Sequence, residues 1–596
     1  MVDRFDARPV RRSEEKGAGW GLAAALILLA LLLFVVNARR QPPAPAGGDG
    51  DPANAASNTF PGTRARDTLR ELLGDGAPHP LGSPAHDAVR DRVMARLRSY
   101  GYEPTVEKGN SCGPHSGTCG DIQNVMARLP GGQPGKPSTG TVLLMAHYDS
   151  VPTGPGAADD LTGTAAVLEV ARLLKSGPAP RNDVLFMLTD GEELGLLGAA
   201  WFVDNSPSAK DVKAVVNLEA RGTSGPSLLF ETVGDNWTIP LYAQRASHPI
   251  TSSVFATIYG LMPNDTDLTV FKKKQDSLVG VNFAFINDPL RYHSEGDSFE
   301  NVSPASIQHH GDNALAAVRG LMDVDLASQP HGKRAFFDVL GFFVMSWPLS
   351  WSLGLALLAL VLVLAAAVLA VRRGTATAGG VALGFLAFLL TLVLSGIATF
   401  VLLKLVRGRF FVPDPFTLVA AYWLLSLAVA GFVAAGLGRR SRATGLWAGA
   451  WLGWALLGIL LVVALPTPGI SYLFVVPALV AAVTSLVSFG SRGVDGTGGT
   501  VAVLLTAAVA AVLWFPIVLP LYDGLGRGAL LPIAVLVAIF FTAITPLFVT
   551  APVWLRRGVP ILALVVAVIL LAVQVATAPP PRKAAELGGA PSALIG

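Results

Sequence analysis

The chain has 596 residues, 52% of them hydrophobic and only 15% charged, which makes it too long for one ordinary domain and too apolar to be wholly soluble. Its net charge of +3 is a sum of unlike parts, because residues 60–330 carry 22 Lys and Arg against 31 Asp and Glu, a balance of −9. So acidic a domain is a poor partner for nucleic acid, and none is expected. From 341 to 578 the acids are Asp414, Asp495 and Asp523 alone, with no Glu and no His, and the expected partner of that half is membrane lipid.

Residues 19–36 form an uncharged apolar run of about the length that spans a bilayer, preceded by Arg4, Arg8, Arg11, Arg12 and Lys16. The positive-inside tendency keeps residues 1–18 as a cytoplasmic tail and exports the residues after the run. A signal peptide cleaved near Val36-Asn37-Ala38 is the competing reading. The apolar core exceeds the usual length of a signal, which favours an uncleaved anchor. Residues 37–59, rich in Pro, Ala, Gly and Asp, read as a linker.

Residues 60–330 read as a soluble domain. Cys112 and Cys119, seven positions apart, suit a small disulfide-closed loop in an oxidising compartment; two free thiols are the alternative. A zinc ribbon needs two more ligands nearby, and His115 alone does not supply them. Strand-like runs at Val142–Ala146, Val184–Leu188, Val212–Leu218 and Val279–Ile286 alternate with helical stretches at Thr162–Leu174 and Glu193–Val203. The expectation is an α/β fold, a mixed and mostly parallel sheet sandwiched by helices, plus an α-helical multi-pass membrane domain. That second domain, 336–578, divides into eight spans at about 350–371, 381–403, 416–437, 446–465, 470–490, 499–521, 529–551 and 559–578. Arg372, Arg373, Arg439, Arg440, Arg442, Arg492, Arg556 and Arg557 fall in the loops expected to be cytoplasmic, and Lys404, Arg407, Arg409 and Arg527 in the opposite ones. Nine spans place the 579–596 tail on the side of the soluble domain.

Open α/β sheets gather their active sites beyond the carboxyl ends of the strands. The first strand ends in His147-Tyr148-Asp149-Ser150, where Asp149 is placed to orient the ring of His147. The second ends in Thr189-Asp190-Gly191-Glu192-Glu193, leading into a helix whose 100° step between neighbours lets one carboxylate bind a metal while the other faces water. The third ends in Asn217-Leu218-Glu219, and the fourth is followed by Arg291-Tyr292-His293-Ser294-Glu295-Gly296-Asp297. An Asp159-Asp160 pair opens the helix after the first strand, where ordinary acidic capping is also a sufficient explanation. Each feature alone has a structural explanation. Together, two His and three carboxylates at one sheet edge match a pair of zinc ions sharing a bridging carboxylate.

Pro80-Leu81-Gly82-Ser83-Pro84, His147 to Ser150, Gly156 to Gly163, Glu192 to Gly198 and Tyr292-His293 occur in this order, and over residues 65–325 they resemble the co-catalytic zinc aminopeptidase family. The sequence of one anchor, one such domain and eight spans is further similar to the endoplasmic reticulum metallopeptidase and vacuolar membrane protease branch. The resemblance implies two zinc ions, with His147, Asp159 and Glu219 on one and Asp159, Glu193 and His293 on the other. It also implies Glu192 as general base and Asp149 as the carboxylate behind His147. Glu219 departs from the Asp common in soluble relatives. The implied activity is hydrolysis of terminal bonds in peptide substrates, as an aminopeptidase; a carboxypeptidase, a receptor or scaffold, and a transporter fused to a peptidase-like domain are the alternatives. Arg221, Arg291, Tyr292 and Asp267 are candidates for binding substrate. The localisation expected is a membrane with the domain on the exoplasmic side, a bacterial inner membrane with a periplasmic domain, or else an organelle membrane with a lumenal one.

Overall fold

The computed structural model describes residues 20–47, 59–113, 117–275, 277–330, 332–405, 415–464, 468–490 and 492–577. The 1–18 and 579–596 tails, much of the linker, His115, Arg407, Arg409 and Asp414 lie outside the described residues.

The strands are β1 Thr105–Cys112, β2 Cys119–Leu129, β3 Thr141–His147, β4 Asp183–Thr189, β5 Val212–Ala220, β6 Leu228–Val233, β7 Val279–Phe285, β8 Arg334–Val339 and β9 Phe343–Pro348. The first seven make one sheet in the order β1-β2-β4-β3-β5-β7-β6. Every residue of β3 and β7 is buried, as near-continuous apolar runs covered on both faces require. Strands β4, β3, β5 and β7 are parallel neighbours, whereas β1, β2 and β6 join antiparallel. The sheet is therefore mixed, with a parallel centre and antiparallel flanks. Since β1 is an edge strand with half its residues exposed and only Ser111 buried, it gives no continuous apolar run to read in the sequence. Cys112 and Cys119 face each other across β1 and β2 and are disulfide-bonded.

The Leu161–Lys175 and Pro304–Leu321 helices pack on one face of the sheet, and the Leu197–Asn205 and Asp267–Lys274 helices on the other. The first of these starts where Asp160 caps it, its carboxylate accepting from Gly163 N at 3.1 Å. Helix Leu197–Asn205 starts four residues later than its periodicity predicts. Glu193 to Leu196 form a turn that closes with Leu196 at φ 64°, so Glu192 and Glu193 precede the helix and their divergence is set by the turn, not by the helical step.

Seven described helices are long and apolar enough to cross a membrane: Gly21–Arg39, Trp351–Arg372, Ala378–Lys404, Thr417–Leu437, Ala443–Val463, Thr497–Leu525 and Val553–Gln574. The other two expected spans are shorter apolar helices, Tyr472–Ser488 and Leu530–Thr542. The second is 13 residues long, or about 20 Å at 1.5 Å per residue, against about 30 Å of hydrocarbon. It stops before Thr545-Pro546, where a proline opens a separate helix. The β8–β9 hairpin sits between the two domains, where the sequence gives only a boundary. There Phe337 stacks on Tyr472 of the bundle with ring centroids 4.4 Å apart, and Ser252 Oγ lies 2.7 Å from the Tyr472 hydroxyl.

Candidate metal centre

Parallel pairing aligns the carboxyl ends of the central strands. His147 is registered with Thr189, and Glu219 with Ala284, so the turns that follow β3, β4, β5 and β7 meet above one edge. The Asp159 carboxylate lies between two imidazoles, with Oδ1 3.1 Å from His147 Nε2 and Oδ2 3.3 Å from His293 Nε2. Glu193 Oε2 is 3.0 Å from His293 Nε2, and Glu219 Oε2 is 3.9 Å from His147 Nε2. Five residues that the sequence scatters over some 150 positions thus share one cluster. His147, Asp159 and Glu193 each present a donor atom within 4.8 Å of the others.

A second layer holds these groups. His147 Nδ1 is 3.0 Å from the Asp149 carbonyl and 3.5 Å from its carboxylate. That carboxylate also accepts from Glu192 N at 3.1 Å and Glu193 N at 3.2 Å, tying the end of β3 to the turn after β4. Asp297 accepts from Ala158 N at 2.6 Å and Asp159 N at 3.1 Å, next to the cis peptide between Asp159 and Asp160. The role of Asp297 is not legible from its motif alone; its signal in the sequence is an acid four residues beyond His293 in a tight Gly-containing turn. Asp190 takes 2.7 Å hydrogen bonds from His86 Nε2 and Gln123 N, another pair that sequence reasoning missed. Asn217 Nδ2 donates to Glu219 Oε1 at 3.2 Å.

The electrostatics suit a cation. Burial, reinforced by Asp159, pushes Glu193 up to about 7, and burial pushes Glu219 up to about 8. Burial and Glu219 together raise Glu192 well above the usual carboxylate range. Burial opposes a charge on His293, yet Asp159 and Glu193 raise it to about 10. Burial works the other way on Asp159, but His147 and His293 hold it down at about 2. Glu193 Oε1 is buried without a hydrogen-bond partner. Imidazole nitrogens and carboxylate oxygens are zinc donors, and the crowd of desolvated carboxylates supplies the charge that such an ion neutralises. The residues present fit zinc.

A cavity of about 150 Å³ opens beside this cluster, lined by Asp159, Glu192, Glu219, Arg221, Asp265 and Tyr292 among others. The Tyr292 ring also stacks on His293, centroids 3.7 Å apart. Arg291 and Asp267 are not among the lining residues. Arg291 Nη1 donates to Thr223 Oγ1 at 3.2 Å, and Asp267 is buried behind the strand ends, accepting from Thr189 Oγ1 at 2.5 Å.

With this geometry established, residues 124–318 match Peptidase family M28. The domain belongs to that family. The chain is similar to endoplasmic reticulum metallopeptidase 1 of Homo sapiens, 30% identical over 362 residues that cover 56% of this chain and 39% of that protein. It is also similar to the vacuolar membrane protease of Candida albicans, 32% identical over 269 residues that cover 45% of this chain and 31% of that protein. The chain thus spans well under half the length of the curated relatives it matches. Among solved structures, the aminopeptidase from Aneurinibacillus sp. strain AM-1 shares 14% identity at a TM-score of 0.39, covering 47% of this chain and 98% of that one. A Porphyromonas gingivalis glutaminyl cyclase shares 20% identity at 0.36, covering 44% and 98%. Family M28 membership implies zinc. The apolar helices and the membrane relatives agree on a multi-pass membrane protein.

Proposed function

We propose that the chain is a membrane-anchored exopeptidase whose M28 domain takes two zinc ions and removes amino-terminal residues from peptides on the exoplasmic side of its membrane. The observation that carries this reading is the Asp159 carboxylate, whose two oxygens face two different imidazoles at 3.1 and 3.3 Å. His147, Asp159 and Glu219 would hold one ion, and Asp159, Glu193 and His293 the other. Bound zinc supplies Lewis acidity, polarising a carbonyl and making water more acidic.

The chain's own residues do the rest. Asp149 fixes the orientation of His147 and, through the Glu192 and Glu193 amides, the turn that presents both glutamates. Glu192 lines the cavity beside Asp159 and Glu219, where it takes the proton of the attacking water and passes it to the leaving amine. The Tyr292 ring, packed on His293 at the cavity wall, helps to exclude solvent. Of the charged side chains on that wall among the described residues, Asp265 and Arg221 are neither proposed zinc ligands nor the base. The aminopeptidase direction rests on the resemblance to the zinc aminopeptidase family.

Replacing Glu192 with Gln keeps the side chain's shape and removes its basicity. The expected result is full zinc content by elemental analysis with hydrolysis of aminoacyl reporters reduced at least 10²-fold, within the range general-base loss commonly produces. Turnover near wild type would remove Glu192 from its role. Hydrolysis of N-blocked, free-carboxyl substrates in preference to aminoacyl ones would reverse the assigned direction.

A further inference from the structure

The cavity beside the metal centre is not built by the M28 domain alone. Its far wall is the end of the Thr497–Leu525 membrane helix, which contributes Pro520, Leu521, Gly524 and Leu525. These residues lie some 200 positions beyond the end of the family match at residue 318. Phe230, Tyr259 and Met262 of the domain line the same cavity. The cavity is therefore polar at the end that meets Asp159, Glu192 and Glu219, and apolar where it meets the helix. A cavity of about 150 Å³ walled by apolar side chains accommodates a ring the size of benzene, and apolar walls with a few convergent polar groups are the pattern of a ligand site.

We propose that the end of this membrane helix completes the pocket for the substrate side chain next to the scissile bond, so that the substrates are peptides carrying a bulky apolar residue there. The inference rests on the peptidase reading for where the scissile carbonyl lies. It assigns the bundle a part in specificity as well as anchoring. Leu521 and Leu525 line the same cavity as the carboxylates Asp159, Glu192 and Glu219. Glycine at 524 leaves the space open, since a Cβ there would meet nothing within 4 Å. The same fact makes Gly524 the place to fill the pocket without disturbing the helix.

The test uses the full-length, zinc-loaded chain in detergent, with phenylalaninol and ethanolamine, which have no amide bond to cleave, titrated calorimetrically against wild type, Gly524→Phe and Leu521→Ala. Wild type is expected to bind phenylalaninol at least tenfold more tightly than ethanolamine. Gly524→Phe should bring the two within threefold of each other, and Leu521→Ala should lose at least a threefold part of the preference. Thermal melts and zinc content show that each variant is folded. A wild type without preference, or a folded Gly524→Phe that keeps the wild-type ratio, overturns the proposal. A preference abolished by Gly524→Phe in a chain that hydrolyses no phenylalanyl reporter leaves the pocket standing and removes the peptidase reading instead.

Discussion

Each residue of the centre is held in a state it would not keep in water. Glu193 at about 7, Glu219 at about 8 and His293 at about 10 all bind protons more tightly in the folded chain than in the unfolded one. The zinc-free folded state therefore carries more protons than the unfolded state from about pH 4.5 to pH 10, and stability falls as pH rises wherever the folded state binds the excess. Asp159, held at about 2, has the opposite sign but acts only below about pH 4. The zinc-free chain is expected to be most stable near pH 5 and to melt at progressively lower temperature up to pH 9, while the zinc-loaded chain shows a flatter profile, because the ion replaces those protons. Melting curves across this range with and without a chelator measure it; a zinc-free chain that gains stability above pH 6 would contradict the assignment. Asp149 and Asp297 act on this centre through backbone amides, fixing the turns that carry Glu192, Glu193 and Asp159.

At the scale of elements, the metal centre depends on a turn more than on a helix. The segment from Asp190 to Leu196 carries Glu192 and Glu193, and it closes against Gly198, whose amide donates to the Asp190 carbonyl at 2.8 Å. Asn124 Nδ2 donates to the Gly198 carbonyl at 2.9 Å. A Cβ on Gly198 would lie 2.3 Å from Asn124 Oδ1 and 2.5 Å from the Asp190 carbonyl oxygen, so the backbone under both glutamates must move. Gly198→Ala is expected to cost about 1–3 kcal/mol, the range for overpacking a core, and to lower zinc content, both read by chemical denaturation and metal analysis. Gly354→Ala, where a Cβ meets nothing within 4 Å, serves as the near-neutral control. Close backbone approach recurs in the bundle. A Cβ on Gly449 would lie 2.2 Å from the Val381 carbonyl, which is how small residues let the Ala378–Leu405 and Ala443–Val463 helices pack where lipid gives no hydrophobic driving force.

At the scale of the molecule, the two domains are joined by more than the chain. Tyr472, fully buried, stacks on Phe337 and meets Ser252, fastening the β8–β9 hairpin and the domain behind it to the bundle. Tyr472→Ala removes a large buried ring and is expected to cost roughly 3–5 kcal/mol, with amide exchange accelerated first in Arg334–Val339. Exchange unchanged in that strand would mean that the ring does not fasten the hairpin to the bundle. The helix wall of the cavity depends on this fastening, because the metal centre and Leu521 belong to different domains.

The four central strands, the apolar helices and every proposed ligand are legible in the sequence. Burial on both faces writes β3, β4, β5 and β7 as near-continuous apolar runs, and parallel strands place the residues that follow them at one edge. Edge strands such as β1, half exposed, and the hairpin at Arg334–Pro348 leave weaker patterns. Local sequence likewise reads Glu192 and Glu193 as helical, because the left-handed Leu196 that ends the turn is imposed by packing. What the sequence determined alone was the proposed donor set, read from motifs at the strand ends, and the division between an acidic domain and an apolar bundle, a property of composition and short-range periodicity. Only the tertiary structure decided that Asp297 braces Asp159, that Asp267 is withdrawn from the cavity, and that a membrane helix closes the pocket. Those relations join segments tens to hundreds of residues apart, and packing at such separation leaves no periodic trace in the chain.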